Sequence, residues 1–107
     1  MPDESYEPPP SPVHFVAHFK IDDEAGYEKY VAGFFKILAG FGGRFVTFDD
    51  NPTILEGERV EGRTVILKFE SEEDCLTWWN SPEYRELAKL RHASTTTHSA
   101  VMVHAAS

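Results

Sequence analysis

A chain of 107 residues that is 41% hydrophobic and 13% aromatic holds one domain's worth of material and can bury a core without disulfides or a structural metal. Ten Lys+Arg against eighteen Asp+Glu leave a net charge of -8, which speaks against a phosphate-binding surface and so against nucleic acid as a partner. Apolar runs far shorter than the ~20 residues of a membrane span, no charged-then-apolar secretory start and a lone cysteine, Cys75, lead us to expect a cytoplasmic protein with no membrane partner.

Residues 1–12 contain five prolines and three acids. Proline lacks an amide donor and the acids repel one another, so this stretch reads as a disordered, acidic leader ahead of a single domain over 13–107. From Val13 to Ile21 apolar side chains alternate, with Val13, Phe15, Ala17, Phe19 and Ile21 on one face. Period two over that length is a half-buried strand. Asp22 or Asp23 then caps a helix with the stripe Tyr27, Tyr30, Val31, Phe34, Phe35 and Leu38, spaced by threes and fours. Gly40, Gly42 and Gly43 end it.

Arg44 to Phe48 is the next short strand, and its alternation puts Arg44 on the face of Val46 and Phe48. Thr53 to Val60 and Arg63 to Phe69 flank Glu61-Gly62 as a hairpin. Ser71 caps a helix that carries Glu72, Glu73 and Asp74 at the positive end of its dipole. Ser81-Pro82 restarts a helix whose inner face is Tyr84, Leu87, Ala88 and Arg91, and Thr96 to Ala105 closes the chain as a strand.

Two strand–helix–strand crossovers put all helices on one face of an antiparallel sheet: an α+β, ferredoxin-like sandwich. The other face carries Val16, Ile66 and Met102 among His14, His18 and Lys68. A half-apolar face of this size calls for a second copy, hence a homodimer.

Six stretches occur in order: Tyr27-x-x-Tyr30, Gly42-Gly43-Arg44-Phe45, Leu55-Glu56-Gly57, Phe69-Glu70-Ser71, Trp78-Trp79-Asn80-Ser81-Pro82-Glu83-Tyr84 and Leu90-Arg91. Through them the chain, over about residues 13 to 104, resembles the domain-of-unknown-function family numbered 1330, within the dimeric α/β-barrel superfamily. The resemblance implies a ferredoxin-like protomer whose sheet pairs with another into a barrel, and it implies no established reaction. More distant superfamily members include antibiotic-biosynthesis-type monooxygenases, haem-degrading monooxygenases, muconolactone isomerases and chlorite dismutases. Their catalytic residues find no matching motif here.

Among candidate site residues, Arg44 on an apolar face must find an anion, either an acid such as Glu56 or a ligand carboxylate, with Gly42 and Gly43 allowing close approach. Trp79, Ser81 and Tyr84 at the helix break, with Tyr30, are candidate pocket walls. Each also has a purely structural account, core packing for the aromatics and N-capping for Ser81. Arg91 either pairs with an acid or completes an anion site with Arg44. His14 and His18 stand ~13 Å apart along their strand, too far to share an ion. A cross-strand pair of His18 with His98 stays open if those strands are neighbours. No metal and no cofactor is expected. Cys75 reads as a core residue with no base beside it. The expectation is therefore a pocket between the first helix, the Ser81 helix start and the Arg44 strand, binding a small anionic metabolite without catalysis. The alternative is a cofactor-free enzyme of monooxygenase or isomerase type.

Overall fold

The computed structural model describes residues 11–106. In chain order it contains β1 (Val13–Ile21), α1 (Glu24–Gly40), β2 (Arg44–Asp49), β3 (Arg63–Phe69), α2 (Glu72–Asn80), α3 (Pro82–Ser94) and β4 (Thr95–His104). The strands form one sheet in the order β2-β3-β1-β4, and every neighbouring pair is antiparallel. The leader proposed for 1–12 lies almost wholly outside the described residues.

Local chemistry sets the helix ends. The Asp23 carboxylate accepts from the Gly26 amide at 3.2 Å, Ser71 Oγ from Asp74 at 3.1 Å, and Ser81 Oγ from Tyr84 at 3.1 Å. Each satisfies one orphan amide of a first turn. Helix α1 stops because Gly42 takes a left-handed φ of 76°. Gly43 has a different role from the loose approach expected of it. A Cβ there would run into Leu38 Cδ1 and stand 2.8 Å from Phe69 Cε1, so it is the absence of a side chain that lets β2 begin against the core.

All three helices lie on one face of the sheet. Val13, Phe15, Ala17 and Phe19 of β1, with Leu67 and Phe69 of β3, meet Tyr27, Tyr30, Phe34 and Leu38 of α1. Trp78, Tyr84 and Ala88 complete that core from α2 and α3. Trp78 is its centre, with ring centroids 4.3 Å from Tyr84, 5.2 Å from Phe15 and 5.3 Å from Phe69.

Three expectations need correction. Thr53 to Val60 forms no strand, and residues 50–62 are a loop from β2 to β3 rather than half of a hairpin turning at Glu61-Gly62. The loop's few apolar side chains do not pack on the core: Ile54, Leu55 and Val60 are all exposed, Leu55 at 90%. Asp50 anchors the loop through a two-pronged pair with Arg63, at 2.7 and 3.1 Å. Second, Met102 belongs to the core face, as the partner of Phe15, while Val101 and Val103 occupy the open face. Third, β2 carries a bulge between Phe45 and Thr47. That extra residue breaks the alternation, so Phe45 and Phe48 both turn inward and Arg44, opposite Lys68, turns outward.

Candidate functional site

A cavity of about 290 Å³ opens between the sheet and α1. Its floor is Phe15, Ala17 and Phe19 of β1 with Val65 and Leu67 of β3. Tyr27, Tyr30, Val31 and Phe34 of α1 form the roof, and Tyr84 and Arg91 close it from α3. At the mouth stand Phe35, Phe45 and Phe48, each well exposed, with Phe35 and Phe45 packed edge to face at 5.5 Å. Arg63 enters the wall from the start of β3, its guanidinium 4.3 Å over the Phe48 ring.

Five polar side chains interrupt this apolar lining: three tyrosines and two arginines. The Tyr30 and Tyr84 hydroxyls share a buried hydrogen bond of 2.9 Å. Burial holds the Tyr30 phenol well above its ordinary range, with the adjacent Tyr84 hydroxyl adding to the rise and Arg91 opposing it. Burial also raises the Tyr27 phenol, opposed chiefly by a hydrogen bond from Arg63. Arg63 is already neutralised by Asp50, whose carboxyl is held below its usual range chiefly by the hydrogen bond it accepts from the Arg63 guanidinium.

Arg91 differs. It is only 5% exposed. Its Nη1 donates to Thr97 Oγ1 at 2.9 Å, and Nη2 lies 3.1 Å from His92 Nε2. Burial, and then the charges of Arg91 and Arg85, lower the His92 pKa and keep that ring a neutral acceptor for the guanidinium. Among the described residues no carboxylate forms an ion pair with Arg91. A buried guanidinium on a mostly apolar wall thus has no carboxylate partner among the described residues.

The six side chains singled out from the sequence separate into three groups. Tyr30, Tyr84 and Arg91 line the cavity together. Ser81 and Trp79 lie beside it. Ser81 is wholly occupied as the hinge of α2 and α3, donating to Trp78 O at 2.8 Å while capping α3. Trp79 packs on Phe15 and Tyr84 and carries the Arg85 guanidinium 4.5 Å over its ring. Arg44 is not part of the site. Its side chain is 71% exposed and reaches Glu70 at 3.7 Å, because the β2 bulge turns it away. An anion site shared by Arg44 and Arg91 is therefore ruled out.

Sequence reasoning passed over Arg63, though its parity with Val65, Leu67 and Phe69 on β3 was the available signal. The His18–His98 pair does form across β1 and β4, with ring centroids 5.4 Å apart. Both His18 nitrogens are engaged, however, by Thr64 Oγ1 at 3.0 Å and Val60 O at 2.9 Å. Burial, with Glu72 nearby, pushes the Cys75 thiol up to about 11, which leaves it inert at neutral pH.

The family model for "Domain of unknown function (DUF1330)" matches residues 12–105. The chain belongs to this family. Among solved structures it resembles a protein of unknown function, RPA0582, from Rhodopseudomonas palustris, at 16% identity over 89% of this chain and 81% of that one, with a TM-score of 0.70. It also resembles SnoaB, a cofactor-independent oxygenase from Streptomyces nogalater, at 19% identity over 91% and 95% of the two chains, TM-score 0.58. A dimeric ferredoxin-like protein of unknown function from Thermobifida fusca aligns over 100% of both chains at 13% identity, TM-score 0.57. At these identities the likeness is one of fold, α+β and ferredoxin-like, with dimeric proteins among the neighbours. No curated protein matches the chain. Among the described residues no helix is long and apolar enough to cross a membrane.

Proposed function

We propose that this DUF1330 protein is a homodimeric binding protein for a small, mostly apolar molecule bearing one anionic group, held in the cavity under α1. The buried guanidinium of Arg91, which has no carboxylate partner among the described residues, carries this proposal, because burying a charge costs several kcal/mol unless something compensates it. The lining favours binding over proton-transfer chemistry. Its titratable groups are tyrosines, of which Tyr27 and Tyr30 are raised by burial, and arginines, which donate protons or charge and offer no base at neutral pH.

Ala17 offers the test. It is buried on the cavity floor, so Ala17→Leu pushes three extra carbons into the binding space while leaving every charge in place. A panel of small aromatic and aliphatic acids and their neutral counterparts, screened by thermal shift and calorimetry, should yield a saturable one-site ligand. Ala17→Leu should weaken it roughly tenfold or more, the scale of an overpacked contact at ~1–3 kcal/mol. A panel with no saturable ligand, or a ligand indifferent to Ala17→Leu, would defeat the proposal.

The dimer is read from the uncovered sheet face. Val16 pairs with Ile66 on one side and Val101 on the other, with Val103 next along β4, so an apolar stripe crosses the face's centre. Light scattering at micromolar concentration should return a dimer mass, and Val101→Glu, which sets a carboxylate in that stripe, should return a monomer. A wild-type monomer would overturn this assignment.

A further inference from the structure

We infer that the cavity selects planar aromatic monocarboxylates of one or two rings over diacids, neutral amides and saturated acids. This rests on the binding role proposed above and narrows it to a class.

Single charge follows from the two arginines on the wall. Arg63 is satisfied within the protein by both carboxylate oxygens of Asp50. Among the described residues Arg91 has only the neutral oxygen of Thr97 and the neutral ring of His92, which occupy two of the five donors a guanidinium carries. One uncompensated positive charge on the wall matches one negative charge on the ligand. A second carboxylate would be desolvated among phenyl rings with no partner.

The tyrosine pair supplies a further donor. Two phenols carry two protons, and the Tyr30–Tyr84 hydrogen bond uses one of them. Raised well above its ordinary range, Tyr30 stays protonated at neutral pH, so its partnership with Tyr84 leaves a proton to offer an acceptor. A carboxylate has lone pairs enough for both that hydroxyl and Arg91, whereas the oxygen of an amide lacks the charge that makes such bonds strong.

Aromatic character follows from the walls. Nine of the fifteen lining residues are Phe or Tyr, and their rings already meet one another in tilted and edge-on pairs. A flat ring continues those pairings, while a puckered saturated ring presents only hydrogens to the ring faces. At about 290 Å³ the space stands at the lower edge of ligand pockets, roughly 300–1,000 Å³, which limits the body to one or two rings.

The probes are 2-naphthoate, 2-naphthamide, 2,6-naphthalenedicarboxylate and decahydronaphthalene-2-carboxylate, titrated calorimetrically into the wild-type protein at pH 7. The monoacid should bind at least roughly tenfold more tightly than each of the other three, the scale of one charge-assisted hydrogen bond made or lost. Asp50→Asn, which frees the Arg63 charge from a surface pair, should narrow the gap between monoacid and diacid. Equal affinity for acid and amide would overturn the carboxylate, and equal affinity for the saturated acid would overturn the aromatic class. A preferred diacid, or an Asp50→Asn protein that rejects the diacid as before, would overturn the single-charge account. In each of those cases bound ring compounds would leave the cavity's binding role standing. Failure of all four probes beside a saturable ligand of another class would overturn this class alone, and failure of every compound would overturn both.

Discussion

Trp78→Ala should cost ~3–5 kcal/mol, the range for removing a large buried aromatic, and lower the thermal midpoint by well over ~10 °C for a domain of this size. The indole has no exposed surface and joins β1, β3, α1 and α3 through its contacts with Phe15, Phe69, Phe34 and Tyr84. No neighbour can collapse into its place without unstacking another ring. Trp78→Phe should cost far less, because the indole Nε1 is a buried donor with no acceptor in the structure, and phenylalanine removes that liability while keeping an aromatic body. Circular dichroism melts of the two variants check both expectations. A Trp78→Ala midpoint within a few degrees of wild type would mean the core is organised around something else.

Arg91→Met should separate stability from binding. Where a buried charge pairs with a buried acid, removing one partner strands the other and costs ~3–5 kcal/mol. Arg91 has no such acid among the described residues, so methionine leaves behind only Thr97 Oγ1 and the His92 ring, each losing a hydrogen bond of ~0.5–1.5 kcal/mol. Relief of the guanidinium's own desolvation offsets that loss, and the net change in stability should stay within ~1–2 kcal/mol. Affinity for an anionic ligand should fall by roughly tenfold or more, with neutral ligands unaffected. Chemical denaturation and calorimetry on one preparation measure both. A loss of several kcal/mol would reveal a hidden acidic partner and make Arg91 structural.

Much of this architecture could be read from residue spacing. The strict alternation of Val13 to Ile21 placed β1 and its inner face, because a strand packed on one side must repeat every second residue. Ser81-Pro82 located the break between α2 and α3, since a serine before a helix-start proline satisfies an amide the proline cannot compete for. The reading failed in two places for two reasons. Thr53 to Val60 reads as a strand because it flanks Glu61-Gly62, yet it joins neither outer strand of the sheet, and pairing depends on partners distant in the chain. At Arg44 a single extra residue in β2 reversed every side chain around it, and nothing in Arg44-Phe45-Val46-Thr47 marks where a bulge will fall. Of the two arginines expected at a pocket under α1, Arg91 lines the cavity and Arg44 does not, while Arg63 lines it unforeseen.

The same irregularity bears on how copies of the chain can meet. β2 and β4 are the outer strands of the sheet, and each breaks register once against its inner neighbour. In both cases the unmatched residue, Val46 in β2 and His98 in β4, belongs to the outer strand. A bulged border twists away and offers a poor template for another strand, so lateral growth into a longer ribbon is discouraged at both ends. The proposed dimer would instead use the valine stripe, which admits one copy and then is used up. Deleting Val46 would straighten one border, with Arg44 still opposite Lys68 on the open face, and expose the chain to the edge-to-edge pairing that its present borders resist.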